Sequence, residues 1–455
     1  MAKADLVIKG GRVVIPGTGI IETDIAVEGD KISALGGDLS GREEIIAAGK
    51  YILPGIIDPH IHLGIFGDLA SEMASETLSG LMGGVTTVGC FMGGPNPYYP
   101  EFAETIKLTE GKINTDIFFH LGIMTPEQQQ EIPRLIEEFG ITSFKLYMAG
   151  IPGLIPDVDD GFLFRTFEKT ASIGDRVIVC VHAENPQINA TTRAEVQNKL
   201  TDGALADWSD TQPNYSEAEA VRRAAYFAGL AGNRLYFVHM STAESMLALA
   251  DIKPSNPRIF AETTSPYLSV TKFSSKGLLA KMVPPFREEA SVEALWQGIE
   301  NNLIDTIGTD NVTQTLAVKQ AEKGMWGAMP GYPALGTHLP VILHYGVNGR
   351  GVSLLKVAEL MSKKPAEIFG IYPQKGVIAP GSDADLVVVD LDKVIKVDHK
   401  HLGSAGDFSL YDGEELKGWP VMTIKSGQLV IKDGQLVGHA PGKYLRRSTW
   451  VAVSF

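Results

Sequence analysis

Six residues hold most of the chemical potential of this chain: His60 and His62 in "DPHIHLG", Lys145 in "ITSFKLYMAG", His182 in "VHAEN", His239 in "VHMST" and Asp310 in "IGTDN". Alternate residues of a strand share a face, so the H-x-H pair can aim two imidazoles at one ion. Taken singly, His182 and His239 read as hydrogen-bonded core histidines, and Asp310 as a strand-end or helix-capping carboxylate. Their placement is what argues otherwise. Each sits at the end of a separate apolar run, where the side chains of a parallel barrel face its mouth. Four histidines and an aspartate converging in this way predict a metal centre.

Lys145 lies inside a run that otherwise reads as a buried strand. An ammonium beside one or two dications would be prohibitive, and a buried lysine normally escapes by shedding its proton. The neutral amine can combine with carbon dioxide to give a carbamate, which is anionic and offers two oxygens. Lys145 is therefore expected to be carboxylated on its side-chain nitrogen and to bridge two metal ions. The competing reading is a lysine that extends its ammonium out of the barrel mouth.

The elements that must position these residues follow from periodicity. Strand-like runs recur as "ILPGIIDPHIH", "GVTTVGCF", "DIFFHLGI", "ITSFKLYM", "RVIVCVHAE", "RLYFVHMS", "RIFAETTS" and "DTIGTDN", with helical apolar spacing in "GFLFRTFEKTASIG" and "SEAEAVRRAAYFAGLAG". Eight strands alternating with helices over about 300 residues predict an α/β fold of the (β/α)8, TIM-like kind rather than a doubly wound sheet. At both ends the pattern alternates apolar and polar residues around turns such as "KSGQ" and "KDGQ". Neither end can hold a core alone, so the two are expected to pair into one small β-sandwich. The expected division is residues 1–53, the catalytic barrel 54–375, and residues 376–455, which return to the sandwich and form a tail.

Composition excludes other classes. The net charge is −14 with no basic stripe, which argues against nucleic acid and against acidic lipid. The opening "MAKADLVIKGGRVV" lacks a signal-peptide core, and no apolar run approaches the roughly 18 residues of a membrane span. Cys90 and Cys180 are too few for a disulfide framework. A cytoplasmic protein is expected.

In its order of H-x-H, lysine, histidine, histidine and aspartate, the chain resembles the amidohydrolase superfamily, and within it the cyclic amidohydrolases of the dihydropyrimidinase and hydantoinase branch. The resemblance extends through "GGVTT", "AETTSPYL", "VPPFRE", "MPGYPALGTHLP", "GSDADLVVVD" and the closing "GKYLRR". It implies one ion held by His60, His62, Lys145 and Asp310 and a second held by Lys145, His182 and His239, with zinc at both. It also implies a homo-oligomer, with a tetramer favoured. A hydroxide bridging the ions would open a ring amide such as a hydantoin, dihydropyrimidine or imide, with Asp310 taking the proton and passing it to the leaving nitrogen.

The chain also departs from that pattern. Members of the branch commonly carry a tyrosine five positions after the bridging lysine, and here the position is Gly150. Tyr147, of opposite strand parity, reads as core packing. Gly150, Val283 and Gly331 stand where the resemblance places substrate contacts. Asn311 follows Asp310 where many relatives have histidine, and no arginine follows H-x-H, which disfavours a dihydroorotase. His120 reads as a packed or supporting imidazole, and Phe66 and "MWGAMPGY" as a possible apolar wall. Allantoinase- or dihydroorotase-like activity, a one-metal deaminase and a non-catalytic assembly protein are the alternatives.

Overall fold

The eight apolar runs become eight parallel strands in the computed structural model, which describes residues 3–151 and 153–447. They are β1 (Ile56–His62), β2 (Val85–Met92), β3 (Asp116–Gly122), β4 (Ser143–Tyr147), β5 (Ile178–His182), β6 (Leu235–Phe237), β7 (Ile259–Thr264) and β8 (Thr306–Gly308). Consecutive strands pair in order from β1 to β8. The ring closes just beyond β8, where Asn311–Val312 pairs in parallel with Ile61–His62. Asp58 clamps this seam: one carboxylate oxygen accepts from the backbone of His60 at 3.0 Å and of Thr309 at 3.1 Å, and the other accepts the Thr309 hydroxyl at 2.6 Å.

Most helices between the strands turn an apolar face to the barrel, while helix Pro186–Lys199 has no fully buried residue. Helix Asp160–Ile173 starts at Asp159, whose side chain accepts from the Phe162 N–H, and buries Leu163, Thr166, Phe167 and Thr170. That is the i, i+3, i+4, i+7 spacing of a single face. Helix Asn214–Ala231 ends at Gly232, whose left-handed φ of 72° a residue with a Cβ adopts at a cost.

The two ends of the chain build one mixed sheet, in which Leu386–Val389 pairs antiparallel with Tyr51–Pro54. Its longest strand, Ala4–Ile15, breaks register between Ile8 and Gly11. Its first half pairs with Gly41–Ile46 and its second with Tyr51–Ile52. One strand thus serves two layers, and Ile8, Val13, Ile25, Ile52, Leu386 and Ile424 are enclosed between them. The expected turns are present, with Ser426–Gly427 and Asp433–Gly434 both at positive φ. Residues 448–455 of the expected tail lie outside the described residues.

A buried ionic network ties this sheet to the barrel base. Lys375 pairs with Asp116, the first residue of β3, and lies 2.5 Å from Asp385. Lys425 is 2.9 Å from Asp116 and 3.3 Å from Asp385. Burial pushes the Asp385 carboxyl up, but Lys375 and Lys425 outweigh it and hold the group at about 2. A carboxyl depressed on folding contributes stability above its unfolded pKa and loses it as pH falls through the folded value. Asp385→Asn is therefore expected to cost about 3–5 kcal/mol near neutrality, because it leaves buried ammonium groups under-paired. That deficit should shrink between about pH 4 and pH 2 in denaturant unfolding of the two proteins.

The stretch Lys443–Arg447 seals the barrel floor. Ile117 donates to the Lys443 carbonyl at 2.9 Å and accepts from Leu445 at 2.8 Å. Arg447 donates to the Ser143 hydroxyl at 2.8 Å, and Ser143 lies 2.6 Å from His120 Nδ1. His120 also reaches the Pro59 carbonyl at 3.1 Å and stacks on Phe91 at 4.1 Å. It is packed inside the barrel and does not line the mouth.

Candidate metal centre and active site

His62 ends β1, with His60 two residues before it, and His182 ends β5. Lys145 sits at the middle of β4, one side-chain layer deeper than its last residue. His239 and Asp310 lie two residues beyond β6 and β8, and both adopt left-handed backbone, with φ of 42° and 54°. Such conformations cost a residue other than glycine of order 1–3 kcal/mol and persist where the surroundings fix them. Here the fixing groups are visible: the His239 N–H donates to Glu262 at 3.0 Å and the Asp310 N–H to the His60 carbonyl at 2.9 Å.

The side chains form two adjoining groups. In the first, His60 Nε2 and His62 Nε2 lie 3.2 and 3.1 Å from the same oxygen of Asp310. In the second, His182 Nδ1 faces His239 Nε2 at 3.0 Å. The rings of His60 and His239 stack with centroids 5.5 Å apart, so the groups are neighbours. Lys145, 1% exposed, lies with its Nζ 4.8 Å from the Phe91 ring centre and 4.9 Å from that of Tyr147. His62, Lys145, Tyr147, His182, His239 and Asp310 line one cavity of about 50 Å³.

These residues fit divalent cations. His60 Nε2 is buried without a hydrogen-bond partner although Asp310 is close, so the two groups share a target rather than a proton. Separations of 3.0–3.2 Å are what bonds of about 2.0–2.1 Å subtend at angles of roughly 95–105°. Burial would depress His60, yet Glu262 and Asp310 outweigh it and raise the ring to about 9, so the carboxylates call for a positive charge between them. Imidazole nitrogens with carboxylate oxygens suit zinc and other first-row divalent ions. Burial lowers Lys145 to about 8, which makes the neutral amine accessible.

Residues 51–430 match the amidohydrolase family. The chain is 34% identical to the L-hydantoinase of Paenarthrobacter aurescens, over 98% of this chain and 99% of that protein. It is 33% identical to the D-hydantoinase of Geobacillus stearothermophilus, over 98% and 97% respectively. The chain belongs to the amidohydrolase family. Its fold agrees: the crystal structure of dihydropyrimidinase from Brevibacillus agri superposes with a TM-score of 0.91 at 28% identity, covering 98% of this chain and 99% of that one.

In this amidohydrolase the imidazoles have supporting carboxylates that spacing alone did not single out. Glu262 on β7 accepts from His60 Nδ1 at 2.6 Å and from the Tyr236 hydroxyl at 2.7 Å, while Glu184 lies 2.7 Å from His182 Nε2. Such partners fix the ring orientation and strengthen a ligand nitrogen. The available signal was parity, since Glu184 stands two residues beyond His182. Tyr147 shares a strand face with Lys145 and lines the cavity, and among the described residues its hydroxyl makes no hydrogen bond.

Of the expected substrate contacts, Val283 lines the cavity, whereas Gly331 does not and its neighbour Pro330 does. The Gly331 N–H donates to the Lys281 carbonyl at 3.0 Å, and its own carbonyl accepts from Lys319. Gly150 is bare of necessity: a Cβ there would meet the Ile155 carbonyl oxygen at 2.2 Å and the Asp157 nitrogen at 2.6 Å. Asn311 turns away from Asp310 and accepts from the backbone of Ala334 and Leu335 at 2.8 and 3.2 Å. Phe66 lines the cavity. Trp326 packs on Trp208.

Proposed function

We propose that this amidohydrolase hydrolyses a cyclic amide of the hydantoin or dihydropyrimidine class and holds two divalent ions, zinc by preference. His60, His62 and Asp310 would hold one ion and His182 and His239 the other, with Lys145, carboxylated, between them. The observation that carries this reading is the meeting of both imidazole groups, Asp310 and a buried lysine that, among the described residues, forms no ion pair or hydrogen bond with a carboxylate, in a single cavity. Cations held there would bring water into its ionising range near neutral pH and polarise a carbonyl.

The remaining roles belong to the chain. Burial pushes the Asp310 carboxyl up, but His60 and His62 hold it well below the usual carboxylate range. It is thus a carboxylate at neutral pH, able to take a proton from the attacking water and return it to the ring nitrogen. The phenol of Tyr147, pushed up by burial, stays protonated and donates to the carbonyl oxygen as charge develops on it. Tyr147→Phe should lower kcat by about 10²–10³-fold with KM and metal content little changed, as measured by steady-state kinetics and elemental analysis. An unchanged kcat would remove Tyr147 from the mechanism.

An adjoining cavity of about 440 Å³ shares His62, Ile65, Tyr147 and Leu154 with the first and extends along Leu69, Met92 and Met124. It supports a ring bearing an apolar substituent. The curated relatives of both hands are nearly equally similar, at 34% and 33% identity, so either enantiomer is compatible. A homotetramer is part of the proposal, supported by Tyr226, Leu230 and Leu247, 61–67% exposed on neighbouring helices. Both cysteines are free and buried, which suits the cytoplasm, and among the described residues no helix is long and apolar enough to cross a membrane.

The direct test is a hydrolysis screen over hydantoins, dihydrouracil, cyclic imides, allantoin and dihydroorotate, followed by ultraviolet absorbance. Ring opening of hydantoins or dihydrouracil is expected. Activity on dihydroorotate alone would overturn the proposal.

A further inference from the structure

A second chamber, of about 230 Å³, adjoins the catalytic cavity on the side of Gly150, and its lining includes Asp157, Asn189, Arg193 and Gln212. It shares Ile155 and Val283 with the catalytic cavity, so the two spaces meet at those side chains. The wall on one side is helix Pro186–Lys199, which presents Pro186, Asn189, Ala190 and Arg193, the spacing of one helical face.

Among the described residues, two polar atoms of the lining lack a hydrogen-bond partner, and the arginine beside them, in the field of the buried Glu184, makes no ion pair or hydrogen bond. Gln212 is 3% exposed and its Nε2 is buried with no acceptor, and Asn189 Oδ1 is buried with no donor. Arg193 makes no ion pair or hydrogen bond among the described residues, and its guanidinium lies 5.0 Å from the centre of the Trp208 ring. The wall that carries Gln212 is itself fastened, since its N–H donates to the Ser209 carbonyl at 3.1 Å and its carbonyl accepts from Arg287. Buried donors and acceptors are nearly always satisfied, because an unmade bond costs about 1–3 kcal/mol. Unmet hydrogen-bonding groups on residues that line a cavity beside a reaction site are therefore candidates to hold a ligand once it displaces the side chains covering them.

We propose that this chamber is a subsite for a carboxylate-bearing arm of the substrate. The Arg193 guanidinium and the Gln212 amide N–H take the two carboxylate oxygens, and Asn189 Oδ1 takes an N–H near the root of the arm. Asp157, exposed at the rim, is screened by solvent. The arm reaches the chamber past Ile155 and Val283. This inference rests on the ring-opening activity proposed above and adds rings with an acidic arm to the substrates that site would take.

The test compares hydantoins that carry a carboxyethyl arm or its carboxamide isostere on the ring carbon, with wild type, Arg193→Ala and Gln212→Leu. Wild type should favour the carboxylate arm by about tenfold or more in kcat/KM, mainly through KM, as charge-assisted hydrogen bonds are worth about twice neutral ones. In Arg193→Ala that ratio should fall to about one. Equal handling of both arms by wild type, or an undiminished ratio in Arg193→Ala, overturns the subsite while leaving the ring-opening assignment intact. Calorimetric binding of glutarate to the metal-loaded proteins decides the matter independently of turnover: a tenfold weaker Kd in Arg193→Ala supports the subsite, and equal affinity refutes it.

Discussion

Lys145→Ala should lose its divalent ions and about 10⁴-fold or more of any ring-opening activity, yet fold normally. Lys145 is almost fully buried in the cavity formed with His62, His182, His239 and Asp310, and no carboxylate makes a hydrogen bond to its Nζ among the described residues. A permanent ammonium there would repel every cation the imidazoles attract. Burial brings its pKa to about 8, so the neutral amine is populated near neutral pH and can add carbon dioxide, releasing a proton and becoming an anion. The variant keeps two separate imidazole groups with nothing between them. Elemental analysis and turnover on the same preparations check this, with far-ultraviolet circular dichroism as the control for folding. Metal-stripped wild type should recover faster when bicarbonate accompanies the metal, and Lys145→Ala should show no such dependence. A variant that retains full metal content would show that the lysine is no ligand.

Asp310→Asn should have the second largest effect, a fall in kcat of about 10³–10⁴-fold at saturating metal. The amide keeps an oxygen within reach of His60 and His62, which lie 3.2 and 3.1 Å from the native carboxylate, but it cannot accept a proton. Weaker metal binding is expected as well, so activity must be titrated with added metal until it stops rising. If added metal restored wild-type kcat, Asp310 would be only a ligand. The steady-state rate against metal concentration separates the two roles.

The barrel strands, and the side chains that the fold brings together at its mouth, were legible because both rest on short-range rules: apolar runs of strand length, and chemically distinctive residues at or near their ends. What was hidden depends on how distant segments close on one another. His239 and Asp310 stand beyond their strands in left-handed backbone, a conformation dictated by Glu262 and the His60 carbonyl and unmarked by any glycine. Glu262 itself read as part of an unremarkable "AETTS" run, since only the folded barrel brings it against His60. Tyr147 differs in parity from Gly150 and shares a face with Lys145, so its place on the cavity wall follows only from the folded barrel. The surroundings of Gly331 were hidden too: its N–H donates to the Lys281 carbonyl and its carbonyl accepts from Lys319, residues that no local pattern connects to it.

The most direct test of a metal-dependent cyclic amidohydrolase is metal content and hydantoin or dihydrouracil hydrolysis, read on one sample as purified, after chelation and after reloading. Two equivalents of divalent metal per chain are expected, with hydrolysis lost on chelation and regained when zinc and bicarbonate are returned. Undiminished hydrolysis by chain stripped of metal would contradict the account.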